Sequence, residues 1–261
     1  MNIFVTFLYD PLFNGLIFLY KYIPGHDLGV AIILLTLLIK ALLFWPSLSA
    51  IHNQQKMQEI QPKLKELQEK YKDNKEELSR QLMVFYKQNK VNPFSSCLPL
   101  LLQLPILIAL YKVFFAGINV NPATHLFNAD QLSHLYPFLR STFETSQVST
   151  TFLGFLDLTA KHNIVLALLA GAAQFWQSKM MMSKKPPKVP GAKDEQVSAI
   201  MSTQMTYLLP AITVIFGYQF PAGLSLYWVA STLFQVAQQY YYFKWHKPKQ
   251  SGQTPEVLPR A

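Results

Sequence analysis

The chain has 261 residues, of which 51% are hydrophobic and 14% charged, with a formal net charge of +9. Soluble domains carry about a quarter charged residues, and here the charges gather in short stretches between long uncharged runs, which excludes an ordinary water-soluble globule. The basic residues flank apolar segments, so an anionic membrane surface is favoured as their partner and no sequence-specific nucleic-acid binding is expected.

Residues 1–27 open as MNIFVTFLYD, with neither a basic n-region nor a small-residue cleavage site, so no cleaved leader is expected. They continue as PLFNGLIFLYKYIPG, where Leu12, Phe13, Leu16, Ile17, Tyr20 and Ile23 recur at helical spacing. The stretch is short and bounded by Pro and Gly, which predicts an interfacial amphipathic helix lying on the bilayer. A transmembrane helix needs about 20 mostly apolar residues. Five segments qualify: 28–48, 93–117, 163–182, 200–218 and 222–243. Cys97, the one cysteine, begins the apolar run of the second and permits no intrachain disulfide. Only GYQFPAG separates the last two, which predicts a tight helical hairpin.

Between the first and second spans, at 49–92, Met57, Ile60, Leu64, Leu67 and Tyr71 step by three and four residues. YKDNKEEL interrupts that seam, with Asp73 and Glu76 at capping-box spacing, and Leu78, Leu82 and Phe85 resume it. The pattern predicts a cytoplasmic helical hairpin bent at Pro62. The segment 118–162 has no strong period and is too small for a core of its own; its Tyr136, Phe138, Phe152 and Phe155 suit the headgroup level. Residues 183–199 form a second connector and 244–261 a tail. Eighteen Lys and Arg residues fall in 49–92, in the tail and in the connector with the adjoining end of span three, against Lys21, Arg140 and Lys161 on the other side. The positive-inside rule then predicts an extracytoplasmic N-terminus and a cytoplasmic C-terminus, and an N-terminus unlike an Arg- and Ser-rich transit peptide favours a bacterial plasma (inner) membrane.

No phosphate loop, dinucleotide fingerprint or nucleophile elbow occurs, and the six histidines lack metal-ligand spacing. No enzyme, cofactor or metal is expected. The predicted spans hold no Asp or Glu, which weighs against proton-coupled transport. They do hold Lys40, in LLTLLIKALLF, at ~12 Å from the cytoplasmic end of its span. That depth strains simple snorkelling and costs a few kcal/mol on insertion scales. Lys112 lies near the outer end of span two, where snorkelling suffices. Thr36 precedes Lys40 by one turn; Gln103 lies in span two and Gln174 and Gln177 in span three. Span five carries Trp228, Ser231, Thr232, Gln235 and Gln239, of which residues 228, 232, 235 and 239 share a face. Polar groups on four spans around a cation without an internal carboxylate predict a hydrated cavity, although each could serve as interhelical glue.

The stretches VNPFSSCLPLLLQLPILIALY (Val91 to Tyr111) and FPAGLSLYWVASTLFQVAQQ (Phe220 to Gln239) resemble the second core span and the last span of the YidC/Oxa/Alb membrane protein insertases. IQPKLKELQEKYKDNKEELSRQLMVFYKQNKVNP is similar to that family's cytoplasmic region. The resemblance covers about Asp10 to Lys244 and includes nothing like the large extracytoplasmic domain of many Gram-negative relatives. It implies an all-α five-transmembrane-helix bundle, with a hydrophilic groove open to cytoplasm and lipid, plus the cytoplasmic hairpin and the interfacial helix. It also implies insertion of nascent membrane proteins into the lipid bilayer, with the ribosome and the Sec translocon as further partners. Lys40 matches the groove's basic residue, which is usually Arg in bacterial members; a lysine relies more on local water to hold its charge. Thr36 and Trp228 match substrate-contacting positions, and Gln177 and Gln174 match groove positions. The competing readings are a small-anion transporter or channel, and a chaperone that only packs spans already inserted.

Overall fold

The architecture follows from a computed structural model, which describes residues 3–92, 98–114, 124–181 and 195–245. A π-helical segment, Val5–Tyr9, runs into α1 (Asp10–Tyr22), whose Pro11 sits in the first turn, where a missing N–H costs nothing. The apolar face expected to lie on lipid is turned inward instead. Phe13, Leu16, Ile17 and Tyr20 are buried in the main hydrophobic core, while Phe7, Phe18 and Tyr22 on other faces are exposed. The reason is that α1 packs against four other helices, which cover that face. A turn through Gly25, at φ +82°, leads to Asp27, whose carboxylate caps the next helix by accepting from the Val30 N–H at 2.9 Å.

The straight segment expected over 28–48 is two helices. α2 spans Leu28–Leu42 and α3 spans Phe44–Lys70, and the Phe44–Met57 part of α3 is bent 68° from α2. Pro46 explains the break, because it has no N–H to offer the Leu42 carbonyl one turn back. Pro62 does not divide α3, which remains one helix across it. A turn at residues 71–74 leads to α4 (Lys75–Gln88), which packs back on α3. The cap there is Asn74, accepting from the Glu77 N–H at 3.1 Å, and not Asp73. Asn74 immediately precedes the first helical residue, so its side chain is the one that reaches the third amide.

α5 spans Leu98–Lys112; residues 93–97 and 115–117 of the second predicted span, and 118–123 of the segment after it, lie outside the described residues. The segment 118–162, which has no strong period in the sequence, contains α6 (Ala129–His134), α7 (Pro137–Phe143) and a two-stranded antiparallel hairpin among its described residues. In the hairpin, β1 (Thr151–Phe152) faces β2 (Leu156–Asp157) with Thr151 opposite Asp157, so the chain is not purely α. Phe127, Leu135, Leu139, Phe143, Val148 and Leu158 from this segment are buried in the same core as α1 and α2.

α8 (Ile164–Met181), α9 (Glu195–Gln219) and α10 (Ala222–Trp245) complete the bundle, and α10 touches α2, α3, α8 and α9. Backbone bonds from His162 N to Tyr218 O (2.9 Å), Ala222 N to Ala160 O (2.9 Å) and Gly223 N to Leu158 O (2.8 Å) tie the α9–α10 turn to the folded segment before α8. Among the described residues no single helix is both long enough and apolar enough to cross a membrane, whereas the bent pair Leu28–Leu42 with Phe44–Met57 passes that test jointly.

Candidate functional site

Lys40 lies near the C-terminal end of α2 and is only 7% exposed. A buried ammonium needs partners for its protons. Its Nζ donates to Gln103 Oε1 on α5 at 3.1 Å, and Gln103 Nε2 donates in turn to the hydroxyl of Tyr227 on α10. Tyr227 is fully buried. The lysine thus closes a polar relay across three helices whose other members are neutral, and among the described residues no ion pair reaches it.

A second polar set joins α8 to α10. Gln174 Nε2 donates to Gln177 Oε1 at 2.9 Å, and Gln177 Nε2 donates to Gln235 Oε1 at 2.7 Å. The sequence-derived site is therefore divided. Lys40 and Gln103 fall in one relay and Gln174, Gln177 and Gln235 in the other. Thr36 is buried, and its hydroxyl donates to the Ile32 carbonyl of its own helix at 2.7 Å. Trp228 is half-buried and Thr232 buried on α10, between the residues of the two sets along the chain.

The sequence reading missed Tyr227 as a member of the relay. It also missed a third polar contact, between α3 and α10. There Gln238 accepts from Ser47 Oγ at 2.8 Å and donates to the Phe44 carbonyl at 3.0 Å, while His52 Nδ1 and the Tyr242 hydroxyl lie 2.5 Å apart. The signal available was the cluster of Gln235, Gln238 and Gln239 within five residues of one predicted span. Gln239 is buried too, and its side-chain oxygen has no partner among the described residues.

The outside of the bundle has the opposite character. Leu34, Leu37 and Leu38 on α2, Leu168 and Leu169 on α8, Ile215 and Phe216 on α9 and Leu233 on α10 are all exposed. Soluble monomers rarely leave apolar surface this extensive in contact with water. Among the described residues no group of His, Cys, Asp and Glu could hold a metal ion.

Amides and an ammonium inside a helical bundle whose outer faces are leucine and phenylalanine define an integral membrane protein. The family model described as 60Kd inner membrane protein matches residues 18–250, so the chain belongs to that family of inner membrane proteins, the YidC/Oxa family. The chain is 37% identical over 238 residues to the membrane protein insertase YidC of Syntrophobacter fumaroxidans, a match covering 90% of this chain and 38% of that protein. It is 36% identical over 238 residues to the membrane protein insertase YidC of Saccharophagus degradans, covering 91% of this chain and 35% of that one. The chain thus spans little more than a third of the length of these relatives. A crystal structure of an active YidC insertase, with its first transmembrane domain resolved, shares the fold at a TM-score of 0.52 and 23% identity, over 89% of this chain and 46% of that one.

Proposed function

We propose that this chain is a membrane protein insertase. It receives the hydrophilic flank of a nascent membrane protein among its polar interior residues and releases the apolar segment sideways into lipid. The observation that carries the reading is Lys40, held 7% exposed with a neutral partner inside a bundle coated with apolar side chains. An ammonium in a low-dielectric interior attracts a carboxylate several times more strongly than it would in water. Amide-bearing helices beside it reduce the desolvation cost of a polar chain on its way across. The work is done by solvation and lateral release, with no covalent step.

In this reading the five sequence segments 28–48, 93–117, 163–182, 200–218 and 222–243 cross the bilayer, the first of them as a bent pair of helices, with the N-terminus outside and the C-terminus in the cytoplasm, as the Lys and Arg asymmetry supports. Lys40, Thr36, Gln103, Gln174, Gln177, Trp228, Thr232 and Gln235 line a hydrated groove open to cytoplasm and lipid. The partners are nascent membrane proteins and the bilayer, with delivery from the ribosome and cooperation with the Sec translocon. Site-specific photocrosslinking from Trp228 to a stalled, ribosome-bound nascent membrane protein tests this. Crosslinks that form before insertion are expected. Their absence, together with solute flux through liposomes holding the chain, would replace the insertase with a channel.

A further inference from the structure

Lys40 and Gln103 meet where three helices come together around one apolar core. Lys40 comes from α2, Gln103 from α5, and the phenol that fixes the Gln103 amide comes from α10. The amide is used from both ends: its oxygen accepts from the ammonium and its nitrogen donates to Tyr227. A carboxamide oxygen is the neutral counterpart of a carboxylate oxygen, with the same acceptor geometry but a weaker hold on a cation.

We infer that Gln103 is a displaceable stand-in for the acidic flank of the substrate, and that Tyr227 is the positioning residue that holds this stand-in on Lys40 when no substrate is present. The inference rests on the insertase reading and adds a specificity rule to it. A flank bearing Asp or Glu displaces the Gln103 amide from the ammonium, because a charge-assisted bond replaces a charge–dipole one. A flank bearing Asn or Gln gains nothing by the exchange. The relay therefore keeps the buried ammonium satisfied at rest and selects carboxylates when a chain arrives. Selectivity comes from the difference between two acceptors for one donor.

The test uses the full chain in proteoliposomes and a single-span substrate made in two forms, with aspartates or alanines at the same flank positions, since an alanine offers the ammonium no acceptor in either background. The readout is the ratio of acidic to neutral insertion. Gln103→Leu removes the competing acceptor, so the ratio is expected to rise about fivefold, the equivalent of one net hydrogen bond. Gln103→Glu places a permanent carboxylate on Lys40, so the ratio is expected to fall below the wild-type value. Tyr227→Phe keeps the ring but frees the amide, and its ratio is expected to rise by less than that of Gln103→Leu. A purely structural tie predicts lower insertion of both substrates with the ratio unmoved. An unchanged ratio in Gln103→Leu, or shifts of the same sign in Gln103→Leu and Gln103→Glu, overturns the inference. If Gln103→Glu does not fold, Gln103→Leu and Tyr227→Phe decide it alone. Acylation of Lys40 by a small amine-reactive ester, read by peptide mass spectrometry, reports the same contact with no substrate added. It is expected to quicken several-fold in Gln103→Leu, and an unchanged rate also overturns the inference. A wild-type chain that inserts neither substrate removes the insertase reading, while the acylation result still stands or falls by itself.

Discussion

Gln177 on α8 and Gln235 on α10 are joined by an amide–amide hydrogen bond of 2.7 Å, and Gln174 extends the chain of amides along α8. Interhelical bonds of this kind inside membranes contribute about 0.6 kcal/mol on average, with ~1.7 as an upper value. A double-mutant cycle with Gln177→Leu and Gln235→Leu is expected to give a coupling within that range in reversible unfolding from bicelles. A coupling near zero would mean that the two amides meet water in preference to each other, which is the stronger sign of a wet groove.

Replacing Lys40 with Ala is expected to lower insertion of acidic-flank substrates about tenfold or more in a complementation and reconstituted insertion assay, a loss of ~1.4 kcal/mol or more in effective binding. Lys40→Arg, which keeps the cation, is expected to be tolerated. Normal insertion by Lys40→Ala across several substrates would sink the charged-groove mechanism and leave the neutral polar interior as the working part.

Tyr9 offers a test of how α1 is seated. The ring is buried beside Phe13 and packs edge-on to His134, whose Nδ1 lies 2.8 Å from Asp10 Oδ1. Burial, followed by the carboxylates of Asp130 and Asp10, pushes the Tyr9 phenol up to about 12. The folded value lies above the ordinary one near 10, so this contribution to stability is intact below pH ~10 and is lost as the pH rises through about 12. Tyr9→Phe is expected to remove one tyrosine from the late-titrating part of the phenolate absorbance. Exchange protection of α1 is expected to fall over the same interval in the wild type and less in the variant.

Lys40 was legible in the sequence because a charge eight residues inside an apolar run strains the reach of a snorkelling side chain. The mainly apolar segments were legible too: α8, α9 and α10 lie over stretches rich in apolar residues, each with polar residues toward its cytoplasm-directed end as read from the sequence. The division of the glutamines into separate relays was not, because helical spacing tells which face a residue shares but not which neighbour covers that face. Tyr227 was passed over since a tyrosine among LSLYW reads as core until Gln103 is seen against its hydroxyl. The inward turn of α1 was hidden likewise: the periodicity of Phe13, Leu16, Ile17 and Tyr20 fixes an apolar face, and lipid and protein satisfy it equally. The break at Leu43 could have been found, because Pro46 denies the Leu42 carbonyl its donor.

Gly171 sets how closely α8 approaches α9. A Cβ at Gly171 would lie 2.3 Å from Val214 Cγ2 and 3.3 Å from the Pro210 carbonyl oxygen. Gly171→Ala is expected to destabilise the bundle by about 1–3 kcal/mol, the usual cost of overpacking. Most of the clash is with one valine methyl, so Val214→Ala in the same chain is expected to restore much of the loss. The measurement is unfolding in detergent micelles, with failure of the second substitution to rescue the first as the adverse result.

The bend between α2 and α3 is held from outside the bend itself. Leu43 breaks the helix, but the direction α3 then takes is fixed by Gln238 of α10, which binds both Ser47 Oγ and the Phe44 carbonyl. Gln238→Leu removes both bonds and leaves the Phe44 carbonyl and the Ser47 hydroxyl facing an apolar side chain. Each abandoned group costs about 1–3 kcal/mol unless it finds another partner. The less costly response is for the first turns of α3 to move away from α10, where water can reach those groups. Gln238→Leu is therefore expected to widen the distribution of distances between spin labels on exposed sites of α3 and α10, and to speed amide exchange from Ser47 to His52. Gln238→Glu, which keeps an acceptor for Ser47 but gives up the donor to Phe44, is expected to fall between the two. An unchanged distance distribution in Gln238→Leu would mean that the apolar contacts of Ala50 and Ile51, both buried, hold the 68° bend without the glutamine.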